Sequence, residues 1–176
     1  MLKFVGVILL SSVAMYIGSQ IHVPIPGLPV PLTLQTLFCI LLPLVFGKPF
    51  ASIGIGLFLV FGALGLPVFA GNSGGYEYFT GNSGGYLMGF LVASLLTWKV
   101  KSDKRLLRLA YVFLEFVILQ LVILFGGALW ISFGVPNWEI LIGPFILPLL
   151  IKALLGIALL ELTKSALFRK HSVQQL

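Results

Sequence analysis

Apolar positions in this chain come in long, nearly unbroken runs rather than in the alternation of a half-buried strand or the one-sided stripe of a soluble helix. Six runs, at residues 2–20, 32–46, 50–66, 84–98, 106–133 and 144–168, predict helices. Crossing about 30 Å of hydrocarbon takes about 20 apolar residues, with about 17 to 25 tolerated, so all six runs qualify or nearly qualify. The second and third are short and must tilt little or end below the surface. Gly47, Lys48 and Pro49 close the second run and Pro67 the third, since proline lacks the N–H that continues a helix. The first run follows Lys3 as a signal peptide would. It lacks a clear small-residue cleavage site and continues into HVPIPGLPVPLT, so it reads as a retained helix. The pattern predicts an all-α, multi-pass integral membrane protein with six transmembrane helices. Residues 1–176 then form a single transmembrane domain, and the even count places both termini on one side.

Composition strengthens this reading. Of 176 residues, 59% are hydrophobic and 9% charged, more apolar surface than a soluble core of this size can hide. The excess of 11 Lys/Arg over 5 Asp/Glu would suggest nucleic acid if the basic residues were scattered. They are not. Lys3, Lys48, Lys99, Lys101, Lys104, Arg105, Arg108, Lys164, Arg169 and Lys170 all fall on one predicted face, which the positive-inside rule makes cytoplasmic. That assigns the chain to the cell membrane with cytoplasmic termini and accounts for the charge without nucleic acid. One cysteine, Cys39, and two distant histidines, His22 and His171, predict neither a metal site nor redox chemistry.

The outer connectors, 22–32, 67–86 and 134–143, hold the unusual residues. Prolines 24, 26, 29 and 31 stiffen the first, which predicts either a binding wall or a spacer between helices. The second contains GNSGGY twice, at 71–76 and 81–86. Gly allows close backbone approach, Asn both donates and accepts, and Tyr offers a flat amphipathic ring. These are ligand-contacting types, although an aromatic anchor belt or an inert loop would use them too. Each repeat also contains GxSG, the outline of a rhomboid-type intramembrane serine protease, but no histidine in the last helix supplies the base such chemistry needs.

Lys152 is the eleventh basic residue and sits within the sixth run. A charge there is costly and calls for water or a partner. Counted from a helix start near Pro148, it lies about 6 Å below the outer end, positioned for a carboxylate or carbonyl. Glu115 is expected to pair with Arg108 or with Lys152, and Glu161 with Lys164; Gln120 should lie near the level of Lys152. Gln35, between Thr33 and Thr36, opens the second helix as cap or ligand contact. Small residues Ala14, Gly18, Gly54, Gly56, Gly62 and Gly65 predict close helix packing, inside the bundle or against another subunit.

The stretches VPIPGLPVPLTLQTLF (23–38), GALGLPVFAGNSGG (62–75), GNSGGYLMGFLVA (81–93) and PFILPLLIKALLG (144–156) resemble the BioY family, the biotin-specific S components of energy-coupling-factor (ECF) transporters. The resemblance implies a six-helix S-component bundle that captures biotin at the outer face, with no enzymatic activity and no cofactor. It also implies a transmembrane coupling subunit and two ABC ATPases as partners, shared or absent in some members. By position it points to the first loop, Phe69, Asn72, residues 84–86 with Tyr86, and Lys152 as the wall of the substrate pocket; beside these, Asn82 and Gln35 are expected to join Asn72 in reading the polar head of the ligand. Two departures stand out. GNSGGYL replaces the family's GPTGGYL, and PFILPLLIK replaces PFxPGDLxK, so Leu149 stands where an aspartate is expected. That opens three outcomes: Glu139 or Glu115 compensates, the ligand's carboxylate is the counter-ion, or the substrate is another small vitamin. The chain has no Walker A sequence and cannot hydrolyse ATP alone. The remaining alternatives are the GxSG protease and a structural membrane protein without a ligand.

Overall fold

The computed structural model describes residues 2–100, 102–132 and 138–173, with the side chains of 132–142 and 164–173 outside that description. The helices are α1 (Leu2–Gln20), α2 (Gln35–Phe46), α3 (Lys48–Ala63), the short α4 (Tyr76–Thr80), α5 (Gly84–Leu96), α6 (Arg105–Ser132) and α7 (Trp138–Val173). A two-residue antiparallel pair, β1 (His22–Val23) and β2 (Leu32–Thr33), closes the Pro-rich loop with His22 opposite Thr33 and Val23 opposite Leu32.

Three boundaries differ from expectation for identifiable reasons. α3 begins at Lys48 rather than 50 because Pro49 occupies its first turn, where a missing N–H breaks no bond. The second connector is not all loop, since its centre winds into α4. α7 begins at Trp138 and continues through both Pro144 and Pro148, which membrane helices tolerate when neighbours satisfy the freed backbone groups. Part of the expected connector 134–143 is therefore helix, and residues 133–137 lie outside the described residues. Lys152 is accordingly about 21 Å along α7 from its start at 1.5 Å per residue, level with the first turn of α2, whose Thr36 it contacts.

α1, α6 and residues 143–163 of α7 are long and apolar enough to cross a membrane. α2, α3 and α5, with 12, 16 and 13 residues, rise only about 18, 24 and 20 Å. The core between them holds Met15, Ile40, Ile55, Phe58, Phe116, Leu119 and Ile123, all essentially inaccessible. Gly18, Gly54 and Gly62 serve packing within the chain. Gly54 lies against the Ile8 carbonyl and Ser11 of α1, and Gly18 against Phe38 of α2, so neither position has room for a side chain. Leu2, Leu9, Val13 and Ile17 of α1 face outward, as lipid-facing positions do.

The end of the bundle that carries the basic residues is tied by polar bonds. Lys48 Nζ donates to the Leu95 carbonyl at 3.0 Å, and the Ser94 hydroxyl to that of Ser52 at 3.0 Å. Glu115 pairs with neither Arg108 nor Lys152. Its Oε1 accepts the Trp98 backbone N–H at 2.7 Å, because α5 stops at Leu96 and the extended Thr97 leaves that N–H without a helical partner. Arg108 instead approaches Glu161 at 3.6 Å, with Arg105 at 3.7 Å; the expected pairing of Glu161 with Lys164 involves a side chain outside the described residues.

Candidate substrate-binding site

At the opposite end two loops and four helices converge. The Pro-rich loop descends through Val30, Pro31, Leu32 and Thr33 onto the first turn of α2, which supplies Gln35 and Thr36. The second loop turns sharply at Gly71 (φ 69°) and Asn72 (φ 55°), and the Phe69 N–H closes the turn on the Ser73 carbonyl at 2.9 Å. Two α1 side chains anchor this loop: the Ser19 hydroxyl donates to the Val68 carbonyl at 2.7 Å and the Gln20 amide to that of Phe69 at 3.3 Å. Phe69 is thereby pressed inward, stacked on Tyr78 at 5.3 Å and edge-on to Phe58 at 5.5 Å, a geometry that favours aromatic pairs.

Together these elements enclose a cavity. Its space open to a water-sized molecule is about 50 Å³, within an envelope of about 510 Å³ that includes the mouth. Ser83, Tyr86, Leu87 and Phe90 of the α5 region, Leu124 of α6, and Phe145 and Lys152 of α7 complete the wall. An outer vestibule of about 300 Å³ shares Val30, Pro31, Ala70, Tyr78 and Ser83 with it. Beneath lies a recess of about 20 Å³ between Thr36, Gln120, Leu124, Phe145, Leu149 and Lys152. Gln120 closes this floor by donating to the carbonyls of Leu149 at 3.2 Å and Phe116 at 3.3 Å.

The polar groups on this apolar wall are few and distinctive. Lys152, 8% exposed, donates from Nζ to the Thr36 hydroxyl at 2.9 Å. Gln35 Nε2 and the Tyr86 hydroxyl are buried without a hydrogen-bond partner. Leaving such a group unpaired costs about 1–3 kcal/mol, which a ligand that pairs it recovers. An apolar cleft with a small number of placed polar groups is how small-molecule sites are built.

Of the residues expected from sequence, the fold brings Lys152, Gln35, Phe69 and Tyr86 to one cavity. Asn72 and Asn82 do not line it: both are exposed on the outer surface. Asn72 uses the tolerance of asparagine for left-handed backbone to shape the turn, and Asn82 immediately precedes Ser83, which with Tyr86 lines the cavity from the second repeat. Thr33 and Thr36, which the sequence offers as cap or ligand contact, line it as well, whereas sequence reasoning passed over Tyr78, Ser83, Phe90 and Phe145 as ligand contacts. The signal for one group was present: Phe145, Leu149 and Lys152 are spaced i, i+4, i+7, one stripe of a helix. Neither Ser73 nor Ser83 hydrogen-bonds to a histidine or lysine among the described residues, and His22 Nδ1 instead lies 3.1 Å from the Gln20 carbonyl.

Comparison with known proteins agrees with this architecture. Residues 2–169 match the BioY family. The chain is 35% identical over 162 residues to a probable biotin transporter BioY of Pyrococcus horikoshii, covering 90% of this chain and 94% of that one. It is 32% identical over 164 residues to the biotin transporter BioY2 of Lactococcus lactis subsp. cremoris, covering 88% of each. The crystal structure at 2.1 Å of the S-component for biotin from an ECF-type ABC transporter superposes with a TM-score of 0.76 at 27% identity, over 93% of this chain and 92% of that one. With the helical membrane fold and nearly the full length in agreement, this chain belongs to the BioY family.

Proposed function

We propose that this protein is the biotin-binding S component of a vitamin uptake system, a non-enzymatic membrane protein that captures biotin at the outer face. The observation that carries this reading is the cavity at the end of the bundle away from the basic residues, with Lys152, Gln35 and Tyr86 offering hydrogen-bond donors inside an aromatic wall. Six membrane crossings with cytoplasmic termini fit the one-sided distribution of Lys and Arg. In that orientation the cavity opens outward, under the two loops.

Capture follows from the wall's chemistry. Phe69, Tyr78, Tyr86 and Phe145 stack in pairs and cover the apolar rings and chain of the vitamin, while Lys152, Gln35, Tyr86 and Ser83 meet its polar ends. The cavity and the vestibule share Val30, Pro31, Ala70, Tyr78 and Ser83, so a two-ring vitamin reaches from the floor at Lys152 up to the loops. Energy for release inside comes from partners of the ECF type, a transmembrane coupling subunit with two ABC ATPases, where the cell supplies them. The chain's own part is binding.

Thermal unfolding of the detergent-solubilised protein tests this, because a ligand bound only by the folded state stabilises it by about 2.7 kcal/mol at a hundredfold excess over its dissociation constant. A rise in Tm with biotin and not with other vitamins is expected. Leu149, at the position where the family carries an acid, favours one second reading, an S component for a different vitamin. A rise with another vitamin and none with biotin would select it.

A further inference from the structure

We infer that this pocket takes its ligand as a carboxylate anion held against Lys152, and rejects an uncharged derivative of the same shape. The inference rests on the biotin reading above and adds which charge state and which end of the molecule the site requires. The charge balance at Lys152 turns on where the acids lie. The chain has five, Glu77, Asp103, Glu115, Glu139 and Glu161. Glu77 is exposed on α4 and does not line the cavity, and Asp103 is exposed in the connector at the basic end. Glu115 is bonded to the Trp98 N–H at that same end, and Glu161 faces Arg105 and Arg108. Glu139 lies thirteen residues before Lys152 on the same helix, about 20 Å along its axis. Among the described residues, no carboxylate is within salt-bridge distance of the Lys152 ammonium.

What faces that ammonium is neutral. Its hydrogen-bond partner is the Thr36 hydroxyl, and an ammonium has three N–H donors. Leu149, one helical turn away and buried, lines the same recess with an apolar side chain. The nearby unpartnered groups of the cavity, Gln35 Nε2 and the Tyr86 hydroxyl, are also able to donate. The wall therefore has a surplus of donors and one uncompensated positive charge. A buried ion without a counter-charge is costly, and a bound carboxylate, which accepts several charge-assisted bonds and brings the net charge to zero, removes that cost. The other polar end of the ligand then lies toward Ser83, Thr33 and the vestibule.

The test compares biotin with biotinamide, in which a primary amide of nearly the same shape replaces the carboxylate, by calorimetric titration of the wild-type protein in detergent. Biotinamide is expected to bind about thirtyfold more weakly or worse, the lower range for removing one member of a buried charged pair. Equal affinity for the two would overturn the inference and leave the biotin reading standing. No binding of biotin would overturn that reading itself. A second arm uses Leu149→Asp, which gives Lys152 an internal counter-ion at i−3. The preference for the acid over the amide should shrink to within a few-fold; a variant that still binds biotin with an undiminished preference would show that Lys152 is not its source.

Discussion

The Trp98 backbone N–H and the Glu115 carboxylate meet at 2.7 Å at the end of the bundle that carries the basic residues, and this contact holds the chain leaving α5 against α6. Glu115 is fully buried and its second oxygen, Oε2, has no partner. Glu115→Ala should lower stability by about 1–3 kcal/mol, because it strands the Trp98 N–H in an apolar environment. Glu115→Gln keeps the accepting oxygen and should unfold within a few degrees of wild type. Thermal unfolding of both variants checks this, and equal losses in the two would show that charge, not hydrogen bonding, is what Glu115 contributes.

Thr36→Val removes the acceptor of Lys152 with little change in volume. Biotin affinity should fall about tenfold, the effect of one lost hydrogen bond to a charged group, while Thr36→Ser should retain most of it. Titration calorimetry gives both numbers.

Gly62 is in contact with the Phe69 ring, which leaves no room for a side chain there. Gly62→Ala must push Phe69, and the loop behind it, toward the cavity. A loss of about 1–3 kcal/mol in stability is expected from such overpacking, together with weaker biotin binding. Full affinity at a lowered Tm would mean that Phe69 has no part in the site.

Asn72 and Asn82 provide the opposite prediction. Both are exposed, so Asn72→Gly, which keeps the left-handed turn, and Asn82→Ala should bind biotin within about threefold of wild type. Phe69→Ala should lose far more, because a buried ring contributes about 3 kcal/mol or more. The ratio among the three constants decides whether the cavity wall or the repeat's polar side chains hold the ligand.

The membrane class, the helix runs and much of the site's position were legible because hydrocarbon imposes long apolar segments and loops concentrate the unusual residues. Less legible was which loop residue faces in. In GNSGGY the asparagine has the richer hydrogen-bonding chemistry, yet the left-handed turn at Gly71 and Asn72 directs that residue outward and Phe69 inward, a consequence of backbone dihedrals rather than side-chain type. The start of α7 was misplaced for a related reason. Proline signals a first turn in a soluble helix, but in a packed membrane bundle Pro144 and Pro148 remain interior. The sequence suggests an ionic partner for Glu115 because spacing reveals charged neighbours and conceals a backbone amide set free by a helix end.

The single residue joining α2 to α3, Gly47 at φ 98°, has a mechanical consequence. With Lys48 bonded to Leu95 and Ser52 to Ser94 beside it, one end of the bundle is a clasp, while the far ends of the same helices are joined by long loops. Breathing of such a body is that of forceps, with displacement growing with distance from the pivot. Amide exchange should accordingly be slowest near residues 48–55 and 90–95 and fastest around the mouth, and binding of the vitamin should slow it at the tips more than at the clasp.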